Sequence, residues 1–264
     1  QAAYQRVIEV MEAPEKKETG KLKTALTGKI RFENVSVKRK EKSILHDVSF
    51  EIKPGTKNAV IGPTAAGKTQ LLYLLTGLIQ PDSGRVELDG KDARLYEREN
   101  LHRQIGFVFQ DSVIFNISLR ENIAFNKTVT DTDIERAIAT AELTSFVENL
   151  PEKINTILPE RGASLSGGQK QRLMLARALA LNPKILLLDD FTARVDSETE
   201  RKILDNLWEN YPGITLISVT QKIWAVEKYD QIILLMEGEI LATGKHKDLL
   251  VSSPEYIQIF NSQQ

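Results

Sequence analysis

The octapeptide Gly62-Pro63-Thr64-Ala65-Ala66-Gly67-Lys68-Thr69 constrains this chain more than any other stretch. It fits G-x-x-x-x-G-K-[ST]. Ahead of it, Asn58–Ile61 is a short apolar run that reads as a buried strand, and behind it an apolar helix is expected over about Lys68–Leu78. Strand, glycine loop and helix in that order mark an α/β core. Small residues let successive backbone N–H groups converge on phosphate oxygens, and the helix N-terminus adds partial positive charge. In this reading Lys68 reaches the β- and γ-phosphates of a nucleotide, and the Thr69 hydroxyl ligates Mg²⁺. The bland reading is a chance glycine turn. A chance match in a chain of 264 residues is about a one-in-a-hundred event, and the strand–loop–helix context weakens it further.

The flanking pattern supports the α/β reading. Lys29–Val37 and Val48–Ile52 alternate apolar with polar residues, and Pro54-Gly55 makes a turn between the second of these and the buried strand. Gln80-Pro81-Asp82-Ser83-Gly84 breaks the chain again. From about Asn116 to Asn182 the pattern is helical. Thr130 or Asp131 can cap a helix carrying Ile134, Ala137, Ile138 and Ala141, and a second helix runs from about Gly168 to Leu181. Buried strands follow at Ile185–Leu188 and Thr215–Val219, then a hairpin around Glu237-Gly238 joins Gln231–Met236 to Ile240–Ala242. A parallel sheet interrupted by a helical insert is the simplest architecture. Gln1–Met11 reads as a short helix, and Glu12–Lys23, polar and carrying Pro14 and Gly20, as a linker.

Composition narrows the function classes. The net charge is −1, so no long-range field favours nucleic acid or anionic lipid, and no nucleic-acid partner is expected. The chain has no cysteine, which removes disulfides and thiolate zinc sites and fits a reducing compartment. His46, His102 and His246 show no metal-ligand spacing. No apolar run approaches the roughly 18 residues that cross a bilayer, and no signal peptide is visible. The first residue is Gln1 rather than Met, so the chain is expected to be a piece of a longer protein, with any membrane connection outside it.

Ile185-Leu186-Leu187-Leu188-Asp189-Asp190 is an apolar strand ending in carboxylates. Ligands bind at that edge of an α/β sheet, and Asp189 there can hold Mg²⁺ through its water shell. Many buried strands end in Asp, so this signal is weak alone. Paired with the glycine loop it indicates a P-loop NTPase.

Leu165-Ser166-Gly167-Gly168-Gln169 opens a helix with Ser and two glycines, a second phosphate-binding geometry in which Ser166 also serves as a cap. On these residues, together with the glycine loop and the Asp189 strand, the chain resembles the ATP-binding domain of ABC transporters from about Lys29 to its C-terminus. The resemblance implies an α/β fold with a RecA-like P-loop core, an antiparallel β subdomain and an inserted α-helical subdomain over about 116–182. Residues 1–27 then form a linker from a transmembrane domain, and 28–264 the ATP-binding domain. ATP and Mg²⁺ are the implied ligands. Gly62, Pro63, Thr64, Ala65, Ala66, Gly67, Lys68, Thr69 and Gln70 would cradle the phosphates, and Thr69, Asp189 and Gln110 the metal. Gln110, after Gly106-Phe107-Val108-Phe109, looks like the Q-loop glutamine that approaches both Mg²⁺ and the transmembrane partner. Asp196 resembles the D-loop aspartate. In this family two such domains pack head to tail, and Ser166, Gly167, Gly168 and Gln169 would contact the ATP of the second domain. Closure on ATP drives the membrane domains, on the cytoplasmic face of the cell membrane.

Three segments resemble the exporter branch. They are Phe115-Asn116-Ile117-Ser118-Leu119-Arg120-Glu121-Asn122-Ile123, the X-loop-like Thr156-Ile157-Leu158-Pro159-Glu160-Arg161-Gly162, and the opening Gln5-Arg6-Val7-Ile8-Glu9-Val10. Pro159 stands where a glycine is usual. The transmembrane domain would belong to the same or a partner chain.

Three positions depart from the family pattern. Asp190 occupies the place of the catalytic glutamate that polarises the attacking water, and it is shorter by one carbon–carbon bond, about 1.5 Å. Gln221 follows Thr220 where a histidine is expected, and an amide cannot carry the charge or proton of an imidazole. Arg39 falls near the place of the aromatic that stacks on adenine, and a guanidinium can stack there instead. Neutral drift explains one such change better than it explains two at the hydrolytic positions of one site. The expectation is a site that binds ATP and hydrolyses it slowly, with an intact signature that completes a competent site on a different partner, hence a heterodimer rather than a homodimer. Two other readings stay open: a regulatory ATP-binding module with little turnover, and a soluble ABC ATPase.

Overall fold

The computed structural model describes residues 20–39, 42–111, 113–125 and 128–263. The expected Gln1–Met11 helix and the exporter-like opening at Gln5–Val10 lie outside the described residues. In chain order the elements are β1 (Ile30–Arg39), β2 (Lys42–Ile52), β3 (Lys57–Ile61), α1 (Lys68–Leu75), β4 (Ser83–Leu88), β5 (Lys91–Asp92), α2 (Arg98–Gln104) and β6 (Ile105–Val108). The helical stretch holds α3 (Leu119–Ile123), α4 (Asp131–Thr140), α5 (Thr144–Glu148) and α6 (Gly167–Ala180). Then come β7 (Ile185–Asp189), α7 (Ser197–Asn210), β8 (Thr215–Thr220), β9 (Gln231–Met236), β10 (Glu239–Gly244), α8 (His246–Ser252) and α9 (Pro254–Asn261).

Two sheets form. One has four strands in the order β2-β1-β4-β5, and its pairs are antiparallel. The other has six in the order β10-β9-β3-β8-β7-β6, parallel except for the β9–β10 hairpin. The six-stranded sheet is covered on both sides. Ala59, Ile61, Leu186, Leu188, Leu216, Ile232 and Leu234 share a core with the helical insert, whereas Val60, Ile185, Leu187, Ile217, Ile233 and Leu235 share one with the four-stranded sheet and α1. A strand buried on both faces reads as an unbroken apolar run, which is why these strands were visible as runs rather than alternations.

Element ends follow local chemistry. The helix after the glycine loop stops at Leu75, three residues short of the expected Leu78. Thr76 turns its hydroxyl back to Leu72 O (3.4 Å) and Tyr73 O (3.1 Å), and Gly77 follows at φ 69°. Thr130 caps α4 as expected, in a capping box with Asp133, and Ile134, Ala137 and Ile138 face the core. The sequence pattern missed α2 and β6. In α2 Leu101 is the buried residue of an otherwise polar stretch, and β6 begins directly after it without a turn. The last residues of the expected 1–27 linker lie on the body: Leu26 is buried, and Thr27 bonds the Asp89 carboxylate, as does Lys29 just beyond the linker.

The two exporter-like segments form one knot. Leu119 N–H donates to Thr156 O (2.9 Å) and Leu158 N–H to Ile117 O (3.0 Å). Asn122, fully buried, accepts from Phe115 N–H (3.0 Å) and donates to Phe115 O (3.0 Å) and Ser118 O (3.1 Å). Arg177 of α6 donates to the Asn122 side chain (3.1 Å), to Asn122 O (2.6 Å) and to Val113 O (2.9 Å). Burial lowers the Arg177 pKa to about 10, so it stays charged at neutral pH. Asn122→Ala strands several of these groups at once and is expected to cost roughly 3 kcal/mol, read from urea unfolding.

Glu200, on α7, is buried with one carboxylate oxygen unpartnered. Burial pushes its pKa up to about 7, against the pull of Lys222. An unfolded glutamate titrates near 4.3. Between that value and about 7 the folded chain holds a proton the unfolded chain has released, so Glu200 makes stability fall as pH rises across this window. Glu200→Gln should flatten that part of the stability–pH curve; identical slopes in both proteins would contradict the assignment.

Candidate nucleotide site

Pairing register brings the site together. In the parallel pairs Ile61 lies opposite Thr220 and Leu234, and Asp189 opposite Val219. The chain therefore leaves β3 at Gly62, β7 at Asp190 and β8 at Gln221 along one carboxyl edge, where open α/β sheets bind ligands.

The loop geometry explains its glycines. Gly62 has φ 149°, and a Cβ there would lie 1.9 Å from Leu235 O. Gly67, the N-cap of α1, has φ 101°, and its Cβ would meet the Leu45 side chain at 2.7 Å. No L side chain fits either place. Ala65 also has positive φ, at 65°. Thr64, Ala65, Gly67, Lys68, Thr69 and Gln70 line one cavity with Gln110, Asp189, Asp190 and Gln221. Gly62 and Pro63 contribute carbonyls, and Ala66 is buried beneath the loop.

Lys68 Nζ donates to Gly62 O (2.8 Å) and Pro63 O (2.7 Å). Burial lowers its pKa, while Asp190 and Asp189 pull it back up. Thr69 Oγ1 donates to Asp189 Oδ1 (3.2 Å). Asp189 is 4% exposed, and burial raises its pKa; Asp190 adds to the rise, and Thr69 and Lys68 oppose it. Such a carboxylate, aimed at a hydroxyl and poorly hydrated, suits a hard divalent cation that takes oxygen ligands. The donor set therefore fits Mg²⁺ with Thr69 and Asp189 as holders.

Asp190 sits in the left-handed region (φ 50°, ψ 35°), half-buried, with its N–H donating to Val219 O (3.0 Å). Gln221 is exposed, and its Nε2 donates to Thr64 Oγ1 across the cavity mouth (3.3 Å). Three neighbours were not expected as site residues. Val219 and Thr220 line the cavity, and Gln171 of α6, 1% exposed, donates to Gln110 O (3.3 Å). An amide on the apolar face of a helix was the available signal for Gln171.

Other expected site residues stand apart from this cavity. Arg39 is exposed at the end of β1. Ser166, Gly167, Gly168 and Gln169 form the start of α6, where Ser166 and Gln169 make a capping box (3.2 and 2.8 Å). A Cβ on Gly168 would lie 2.9 Å from Arg194 O, so glycine lets the 191–194 turn approach the helix start. Asp196 caps α7 by accepting from Thr199 N–H (2.9 Å).

Comparison with known proteins agrees with this geometry. The family model for ABC transporters matches residues 45–193. An uncharacterised ABC transporter ATP-binding protein, YfiB of Bacillus subtilis (strain 168), is 41% identical over 99% of this chain and 46% of its own length. The leukotoxin translocation ATP-binding protein LktB of Mannheimia glucosida is 39% identical over 94% of this chain and 36% of its own length. The structure of a bacterial Atm1-family ABC exporter with ATP bound superposes with TM-score 0.88 at 31% identity, covering 98% of this chain and 47% of that one. The chain thus spans less than half the length of these relatives. It belongs to the ABC transporter family, as an ATP-binding domain.

Proposed function

We propose that this domain is the ATP-driven motor of an exporter and that its own hydrolytic site is degenerate. The observation that carries the second part is Asp190. Its N–H is tied to Val219 O at the end of β7 (3.0 Å), so the backbone cannot advance to make up for a side chain about 1.5 Å shorter than glutamate. A misplacement of about 1 Å can cost on the order of a hundredfold in rate. Gln221 orients a γ-phosphate by donating a hydrogen bond, but it supplies neither charge nor proton.

ATP enters with its phosphates over the loop N–H groups and the start of α1. Lys68 exchanges the Gly62 and Pro63 carbonyls for the β- and γ-phosphates. Thr69 and Asp189 would hold Mg²⁺, with Gln110 nearby, and the ion would supply neutralisation of phosphate charge. Asp190 and Gln221 face the γ-phosphate from the far wall. In this reading Arg39, exposed at the end of β1, is the group that would stack on the adenine of a bound nucleotide.

Ser166, Gly167, Gly168 and Gln169 contribute to a second ATP on another ATP-binding domain. Ser166 and Gly167 are exposed at the start of a capped helix of 14 residues, free to meet a phosphate from outside the chain. Because that half-site keeps its residues while the Asp190 side does not, a heterodimer with a catalytically complete partner follows. An exposed apolar group, with Val113 57%, Phe115 45%, Phe125 57% and Ile157 66% exposed, offers the face for a transmembrane domain of the same or a partner chain. Among the described residues no helix is long and apolar enough to cross a membrane. That partner would therefore hold the domain at the cytoplasmic face. The runner-up, a regulatory module in which ATP acts as a dimerising ligand, rests on the same two residues, Asp190 and Gln221.

Binding and turnover of ATP measured together separate these readings. The domain should bind ATP and turn it over at least a hundredfold more slowly than a glutamate–histidine site, and Asp190→Glu combined with Gln221→His should recover ten-fold or more. Brisk turnover by the unaltered domain would sink the degenerate site. Binding without recovery in the double variant would favour the regulatory module. Lys68→Ala should abolish nucleotide binding while leaving the fold intact, as judged by circular dichroism.

A further inference from the structure

On the sheet edge opposite the nucleotide site, the helical insert meets the core around a cavity of about 240 Å³. Arg136 comes from α4, Asn182 and Lys184 from the turn between α6 and β7, and Asn210 and Tyr211 from the end of α7. Two cations, two side-chain amides and a phenol line this cavity, and no carboxylate does. Asp133 takes only the Nη2 end of Arg136 (2.8 Å). The Arg136 Nε–H and the Tyr211 O–H are out of contact with solvent and have no well-aligned acceptor, and the guanidinium beside the phenol oxygen partly offsets the burial of Tyr211. Tyr211 is 3% exposed, and burial raises its pKa, so the phenol keeps its proton and remains a donor. Arg136 lies over the Tyr211 ring at 4.8 Å, with about a third of its side chain exposed. For both donors to face the cavity, the Arg136 side chain must turn.

Buried donors without acceptors are costly, by about 1–3 kcal/mol each, and are met by a partner in most native structures. A partner that meets these donors and both cations together is an acceptor with several lone pairs and negative charge. We propose that this cavity binds a phosphoryl oxyanion, as free phosphate or as the head of a small phosphate monoester. Lys184 supplies a point charge, Arg136 the guanidinium fork, and Tyr211 and the two amides directional hydrogen bonds. Because Arg136 and Asn182 belong to the helical insert and Lys184, Asn210 and Tyr211 to the core, the bound anion clamps one to the other. The inference stands apart from the nucleotide reading, since none of its residues lines the glycine-loop cavity.

The test is thermal unfolding of the domain in rising sodium phosphate or glycerol phosphate, with sodium chloride at matched ionic strength as reference. Lys68→Ala is the background in every sample, so that the glycine loop contributes nothing. A saturating rise of about 3 °C is expected with either anion. It should vanish in Lys184→Gln and shrink in Tyr211→Phe, whose melting without phosphate should equal or exceed that of the background. A rise with free phosphate alone identifies the inorganic ion, and a rise with the monoester alone an esterified one. A response that never saturates, or one of equal size in all three proteins, would overturn the proposal, because salt exclusion alone produces that pattern.

Discussion

The parallel register of β3, β7 and β8 is the constraint on which the rest of the molecule depends. With Ile61 opposite Thr220 and Asp189 opposite Val219, three chain exits coincide at one edge. The same register sends Ala59 and Ile61 to the helical side and Val60 to the antiparallel side. A slip of one residue would exchange those faces and pull the acidic strand end away from the glycine loop together. Folding stability and site geometry are therefore one requirement. The six-stranded sheet is the layer that both cores share, and neither core could form without it.

At that edge the charges are satisfied internally. Lys68 holds two loop carbonyls, and Asp189 holds the Thr69 hydroxyl. Each is a partner that phosphate or a divalent cation can displace without leaving a bare charge behind. Burial works against the charged form of both Lys68 and Asp189. A doubly charged ligand pair therefore relieves what the fold imposes, which favours binding as such. In the proposed reading Asp190 and Gln221 are different: one is a carbon–carbon bond shorter than glutamate and the other carries no titratable group, which would leave the edge better equipped to hold a nucleotide than to cleave it.

Helix α6 connects distant parts of the domain. Fourteen residues span about 21 Å, from the capped Ser166 end to the Asn182–Lys184 turn. Along the way Gln171 bonds the Gln110 carbonyl, and Arg177 clasps the buried Asn122 knot. One helix thus touches the Gln110 loop and the exposed aromatic face and ends at the basic cavity.

Much of this was legible in the residues. The glycine loop named its own conformation, because Gly62 and Gly67 occupy backbone states and spaces that other residues cannot. Apolar runs fixed β3, β7, β8 and β9, and Thr130 and Ser166 announced the helices they cap. These signals are local, written in a few consecutive residues. What only the tertiary structure decided has its cause at long range. The order of strands, the meeting of Asp189 with Thr69 across 120 residues, and the separation of Ser166–Gln169 and Arg39 from the glycine-loop cavity depend on packing between segments far apart. So do the buried Glu200 and the basic cavity at Arg136 and Tyr211. A polar side chain announces its type in the sequence, but its desolvation exists only once other segments have closed over it.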